Sequence, residues 1–417
     1  MIFFLRPIVI FLFLGFCFGS ALSQDKLKSN DQIPIVAWIG VPERETTLER
    51  FREMRDAGIN ISFASYSNIE AVEKALNIAQ QAGIKLQPYC PELKAEPEKT
   101  AKRLMKYPAL AGYYLRDEPN ATDFPELSTW IKRIQSVDTK HYCYINLFPN
   151  YASQEQLFGD EYQKQPGKDI YAAHVDTFLR QVPVPFISFD HYPVMVINGV
   201  RTIRNNWYKN LEIIAAAGKK YNLPFWAFAL SVAHWDYPVP AIEEIRLQMF
   251  SNLAYGAQGL QYFTYWNPGP VHDDSWDPHN APIGADGRRT DVYDRIKIVN
   301  KEIQALSGVF HHARLISVAH TGKKIPAGTI RLSTLPAPIK VLETGDGESI
   351  VSVLEKDNRQ FLVIVNRSLF HPMKLTLVGD EKVKRVLKDG TLVAADAYNP
   401  TLEIAPGDML IYCWQKN

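Results

Sequence analysis

Apolar positions in this chain fall into an alternation of short continuous runs and longer amphipathic stretches. Ile33 to Val41 is an apolar run, as a strand covered on both faces requires. Thr47 to Ala57 follows with Leu48, Phe51 and Met54 at helical spacing, closed by Gly58, which can take the left-handed conformation of a C-cap. The same pair recurs as strand Ile59 to Tyr66 and helix Ile69 to Ala82 before Gly83, then as strand Ile84 to Tyr89 and helix Glu98 to Met105. Strand four is Leu110 to Leu115, followed by helix Phe124 to Ser136, and strand five is His141 to Leu147, followed after a polar insertion by helix Ile170 to Arg180. Phe186 to Phe189 and Trp207 to Lys220, Pro224 to Leu230 and Ile242 to Ala257, and Leu260 to Tyr265 and Val292 to Leu306 complete the set. Eight strand–helix units predict an α/β chain built as a (β/α)8 TIM barrel over residues 33–308. A doubly wound sheet would carry a glycine-rich phosphate turn after an early strand, and none is present.

After Gly308 the pattern changes. Ile350 to Leu354, Phe361 to Asn366, Met373 to Val378, Val383 to Leu387, Leu402 to Ile404 and Met409 to Trp414 are short runs separated by turn signals such as Asp346-Gly347 and Asp389-Gly390. Residues 309–417 therefore read as a small C-terminal all-β sandwich, without a catalytic cluster of its own.

Composition narrows the function. Lys plus Arg (46) nearly balances Asp plus Glu (45), so no strong field points to nucleic acid. Aromatic residues make up 12% of the chain, which suits carbohydrate, whose flat CH faces stack on rings, and equally suits a dense core. At the N-terminus, Arg6, the apolar run Pro7 to Gly19 and the small residues Ala21 and Ser23 form the pattern of a secretory signal peptide, residues 1–23, cleaved after Ser23 and followed by a linker over 24–32. A lipoprotein signal ending at Cys17 is the rival reading, and bulky Phe16 argues against it. The mature protein is thus expected to be secreted or periplasmic, with no later membrane span. Cys90, Cys143 and Cys413 lack metal-ligand spacing and read as buried thiols, or as one bridge and a spare.

In a barrel the active site lies where strands end at their C-terminal side, so those positions carry the chemistry. They read Trp38, Tyr66, Tyr89, Arg116-Asp117-Glu118, Asn146, Asp190-His191-Tyr192, His234-Trp235-Asp236 and Tyr265-Trp266-Asn267. One rim collects acids, amides and aromatics, the equipment for holding and cleaving a sugar. Asp117 and Glu118 are adjacent, and neighbours on a strand face opposite ways, so both reach one site only where the chain turns between them. Neither an H-E-x-x-H motif nor a G-x-S-x-G elbow occurs, so no metal, no cofactor and no serine nucleophile is expected. Asp273, Asp274 and Asp277 do not have EF-hand spacing and read as a solvated loop.

Three features together resemble the (β/α)8 glycoside hydrolases of the β-galactosidase-like superfamily. They are Asp117-Glu118-Pro119 at the end of strand four, the segment from Glu244 through Ala254-Tyr255-Gly256-Ala257-Gln258-Gly259 into Tyr262-Phe263-Thr264-Tyr265-Trp266, and the C-terminal β domain. The resemblance implies that Glu118 is the general acid/base, acting on a poly- or oligosaccharide, with exo-action suggested by long inserts after strands five, six and eight. The family carries Asn where this chain has Asp117, and its nucleophile is a strand-seven Glu that this chain lacks. Two routes complete an enzyme. Asp190 or Asp236 supplies the second carboxylate, or Asp117 and Glu118 act as in substrate-assisted β-hexosaminidases, which the pair is also similar to, with Tyr192, Trp235 and Trp266 as walls. A glycan-binding barrel without catalysis is the non-enzymatic alternative. Trp38, Tyr66, Arg116, Asn146, His191, Tyr192, His234, Trp235, Asp236 and Trp266 are the expected substrate-contacting residues.

Overall fold

The computed structural model describes residues 26–27, 31–159, 167, 169–269, 276–395 and 401–416. The expected signal peptide, with Cys17, and Asp273 and Asp274 lie outside them. Eight parallel strands are present: β1 (Ile35–Trp38), β2 (Ile61–Ser62), β3 (Lys85–Leu86), β4 (Gly112–Asp117), β5 (Tyr142–Leu147), β6 (Ile187–Phe189), β7 (Phe225–Leu230) and β8 (Gly259–Phe263). They pair in the order β3-β2-β1-β8-β7-β6-β5-β4, and a parallel bridge between Leu86 and Leu110 joins the two ends. The sheet is therefore a closed barrel, as the count of units predicts. Helices α1 (Leu48–Asp56), α2 (Ile69–Ala82), α3 (Pro97–Leu104), α4 (Phe124–Gln135), α5 (Ile170–Gln181), α6 (Trp207–Tyr221), α7 (Ile242–Ala254) and α8 (Asp291–Ala305) surround it.

Helix boundaries follow local chemistry. The Thr47, Asn68, Asp169 and Thr290 side chains accept hydrogen bonds from the first-turn amides of α1, α2, α5 and α8, satisfying donors that have no partner within the helix. Gly83 closes α2 at φ 75°.

Strand alternation divides the core in two. Ile35, Ala37, Cys143, Ile145, Ile187, Phe189, Ala227 and Leu260 pack outward against the helices. Val36, Trp38, Tyr144, Phe186, Trp226, Phe228 and Leu230 fill the barrel itself, with Tyr114 and Tyr142 packed against them. Phe186 and Trp226 stack at 4.2 Å, and two glycines make room for this aromatic layer. A Cβ on Gly112 would lie 2.3 Å from the Tyr142 ring, and one on Gly259 would lie 2.5 Å from Trp226. Gly112→Ala is accordingly expected to destabilise the protein by about 1–3 kcal/mol, the usual cost of overpacking, read as a lower denaturation midpoint with unchanged secondary structure. An unchanged midpoint would mean that the layer is looser than described.

The C-terminal part is a six-stranded antiparallel sheet facing a three-stranded one. Val351, Val353, Leu362, Ile364, Leu375, Leu377, Ile404 and Tyr412 form the core between the sheets. The other face of the larger sheet supplies Ile350, Phe361, Val363, Val365 and Ile411 to the core shared with the barrel helices. Strands Arg314–His320 and Ile339–Glu343 of these sheets escaped the sequence reading. The former carries mostly exposed or half-buried residues and so lacks an apolar run. Cys90, Cys143 and Cys413 are all free and buried, so the bridge alternative is not realised.

Candidate active site

Strand β4 places the acids through two local irregularities. Its register against β5 slips between Tyr114 and Arg116, leaving Leu115 as an extra residue. Without that bulge the inward series Gly112, Tyr114 would continue to Arg116. With it, Asp117 pairs with Asn146, which shares the inward face of β5 with Tyr142 and Tyr144. The next residue, Glu118, has φ 45°, a left-handed conformation rarely taken by a side chain of this size. Its amide donates to the Asn146 carbonyl at 2.8 Å. This is the turn that adjacency demands, and it brings both carboxyls to the same site.

Asp190, at the end of β6, is the third member. The Asn146 side-chain amide donates at 3.1 Å to Asp117 Oδ1 and at 3.1 Å to Asp190 Oδ1, so those two oxygens lie within twice that distance. Its orientation is fixed from below. Ser188 Oγ donates to Asn146 Oδ1 at 2.9 Å and accepts from Gln261 Nε2 at 2.8 Å, and Tyr144 OH lies 2.7 Å from the same hydroxyl. The Glu118 and Asp190 carboxyls lie within reach of each other, an interaction favourable only while one of them holds a proton.

Three carboxyls in one polar pocket cannot all ionise cheaply. Burial pushes Glu118 up to about 7, the Asp117 charge adds to it, and the hydrogen bond with Asp190 opposes both. Asp190 is fully enclosed and raised well above the usual carboxylate range, first by burial and then by Glu118 and Asp117, against the Asn146 hydrogen bond. Asp117 is pushed up to about 6 by desolvation, against the Asn146 hydrogen bond, the Arg116 charge and the Glu118 amide. Asp117 keeps contact with solvent, so its shift is the softest of the three.

Beside the acids lies a cavity of about 520 Å³ lined by Tyr151, Tyr192, Met195, Arg204, His234, Trp235, Asp236, Tyr237, Phe263 and Trp276. Tyr192 and Tyr151 link the two features, since the charge of Asp190 acts on both phenols. Trp235 stands at the mouth, 63% exposed, in a left-handed conformation (φ 47°) held by its amide donating to Asp277 Oδ1 at 2.9 Å. His234 is held down to about 4 by burial and is neutral at physiological pH. His191 is likewise neutral, held down to about 3 by burial, and donates from Nδ1 to Asn210 Oδ1 at 3.1 Å.

Several expected contacts are corrected by the fold. Trp266 is 1% exposed and packs outside the barrel, with the Arg50 guanidinium 5.2 Å from its ring. Strand β8 ends at Phe263, which lines the cavity in its place. Trp38, 5% exposed, is enclosed by Phe63, Tyr114, Tyr144 and Phe228 at 4.6 to 5.8 Å, which leaves no free ring face for a sugar. Tyr66 is buried in the layer between strands and helices. Arg116 turns away from the barrel and pairs with Asp123 at 3.4 Å. Asn146, Tyr192, His234, Trp235 and Asp236 do lie at the acid cluster or the cavity, while His191 sits behind them.

Tyr151, Met195, Arg204, Tyr237, Phe263 and Trp276 were missed. Met195 and Arg204 come from a hairpin, Val194–Ile197 and Val200–Ile203, closed by Asn198-Gly199 with both residues at positive φ. An Asn-Gly pair between β-branched residues was the available signal. Phe263 was marked by strand alternation, two positions beyond the inward Gln261.

No family model matches the chain, and no curated protein sequence matches it. Among solved structures it is similar to a family 39 glycoside hydrolase from the gut symbiont Bacteroides cellulosilyticus WH2, at 10% identity and a TM-score of 0.53 over 92% of this chain and 81% of that one. It also matches a cyclomaltodextrin glucanotransferase (9% identity, TM-score 0.49, covering 89% of this chain and 90% of that one). A third match is a β-galactosidase from the psychrophilic Marinomonas ef1 (11% identity, TM-score 0.47, covering 66% and 60%). The first of these shows that the fold of this chain is shared with a solved structure over most of its length.

Proposed function

We propose that this protein is a glycoside hydrolase in which Glu118 donates the proton to the glycosidic oxygen. The observation that carries the reading is the cluster itself: three carboxyls from two strand ends, organised by one amide, beside an aromatic-lined cavity. A carboxyl held up to about 7 keeps about half of its population protonated at neutral pH and can act as an acid there. Asp190 bears directly on Glu118 within the cluster, whereas a nucleophile faces its acid across a sugar ring at about 5 Å. It therefore serves to position the Glu118 carboxyl and to moderate the rise that burial and Asp117 impose on it. Asp236, exposed on the cavity wall, is the carboxylate free to attack or to activate water.

A second reading is favoured by a specific contact. Asp117 is anchored by Asn146 next to the acid, where a carboxylate could orient a substrate acetamido group as the internal nucleophile. The walling of the cavity by the hairpin and Trp235 suits removal of terminal sugars, and residues 1–23 suit export.

One screen of aryl glycosides separates the readings. Turnover of several 2-hydroxy sugars supports a protein carboxylate as nucleophile or base. Cleavage restricted to 2-acetamido sugars supports substrate assistance. No turnover on any of them, together with measurable glycan affinity, would overturn the enzyme in favour of a binding protein.

A further inference from the structure

At the opposite end of the barrel, Asp31, His311 and His312 each offer a ligand atom, and these atoms all lie within 4.8 Å of one another. The segment holding Asp31 enters β1 from the N-terminal side, so the cluster is remote in topology from the acid site. Adjacent side chains normally diverge. Here His312 has φ 61°, and the two imidazole rings come together with centroids 3.9 Å apart. That backbone is held in place by Gln258, just before β8. Its Oε1 accepts from the His312 amide, and its Nε2 donates at 3.2 Å to the carbonyls of Phe310 and Ala313. Ile33, two residues after Asp31, is pinned to α8 by hydrogen bonds in both directions with Gln304, at 3.0 and 2.9 Å. Both ligand-bearing strands of chain are thus fixed before any ion arrives. His311 Nδ1 is buried and has no hydrogen-bond partner among the described residues, which is costly unless something else occupies its lone pair or proton.

We propose that Asp31, His311 and His312 form a binding site for a divalent transition metal, zinc by preference, that ties the N-terminal segment to the joint between barrel and β-sandwich. Two imidazoles and one carboxylate are a borderline donor set that suits zinc better than magnesium or calcium, which favour oxygen. The atoms need to close only modestly for bonds of about 2.0–2.2 Å, with water completing the coordination. The same N-terminal segment also contacts the β-sandwich, where the Leu27 amide donates to the Gly390 carbonyl at 2.9 Å and Lys26 pairs with Asp389 at 3.3 Å. A metal here would therefore lock three parts of the chain together.

The test uses the untagged protein beginning at Gln24, stripped with a chelator and then given zinc. The expected result is one zinc per chain after dialysis and a rise in the unfolding midpoint on zinc addition. His312→Asn, which keeps a residue tolerant of positive φ, and Asp31→Asn are each expected to lose stoichiometric zinc while unfolding at the midpoint of the metal-free parent. A parent that retains no zinc, or variants that retain as much as the parent, would overturn the site. Glycoside turnover is expected to be the same with and without zinc, so failure here leaves the reading of the acid cluster untouched.

Discussion

Glu118→Gln is expected to abolish the pH-dependent part of the proposed glycoside cleavage and to lower kcat/KM by about 10²–10⁴-fold, the usual contribution of a positioned general acid. The loss is expected to grow as the leaving alcohol becomes more basic, because a poor leaving group depends on the donated proton and an activated phenol does so far less. In the parent, kcat/KM is expected to fall as pH rises through about 7, where Glu118 would give up its proton. That limb is assigned to the Glu118–Asp190 pair, since each carboxyl bears on the ionisation of the other. Gln at position 118 removes it. Comparable rates for parent and variant on alkyl glycosides would remove Glu118 from the mechanism.

Asp190→Asn has two consequences of opposite value. It removes a titratable neighbour of Glu118 and replaces it with an amide that can donate to the Glu118 carboxylate at any pH. The basic limb of the pH–rate profile is therefore expected to move to lower pH, with lost activity at neutral pH and partial recovery in acid. The variant is also expected to be more stable than the parent at alkaline pH. All three carboxyls sit above their ordinary values in the folded state, so the stability tied to their neutral forms is present below the unfolded pKa of about 4. It is lost as pH rises through about 6 for Asp117 and about 7 for Glu118. Deleting one acid spares part of that loss. Thermal unfolding of both proteins at pH 5 and pH 8 reads it out: the midpoints should differ more at pH 8. A variant less stable than the parent at pH 8 would mean that Asp190 is held by contacts other than those described.

Mutations of the two tryptophans expected as sugar platforms bear differently on function now that their places are known. Trp235 is exposed at the cavity mouth, where a ring can stack on substrate. Trp266 is core, and its loss would act through stability.

How much was legible from the chain depended on whether the signal was local. The eight units could be read because each strand is an apolar run and each helix an amphipathic one, often capped by a side chain or glycine at its end. The address of the acids followed from that count, since Asp117, Glu118 and Asp190 fall where strands end. The substrate wall was read less well. Equivalent aromatic letters at strand ends, such as Trp38, Tyr66 and Trp266, are core or wall according to which side of the sheet they face. Facing is decided by register. The hairpin that lines the cavity was announced by Asn198-Gly199, but its contribution of Met195 and Arg204 depends on where it folds back.

The Asp117-Glu118 pair shows where the division lies. By itself, the sequence determined that two acids and a proline end the fourth strand, because alternation and apolar runs impose the barrel. Only the tertiary structure decided that both acids serve one site. A bulge at Leu115 shifts the inward face from Arg116 to Asp117, and a left-handed turn at Glu118 swings its neighbour inward. Tertiary structure also joined Asp190, distant in sequence, to the pair by setting the Asn146 amide between Asp190 and Asp117. A strand's period of two fixes facing only while the register is regular, and here the packing of β4 on β5 breaks it.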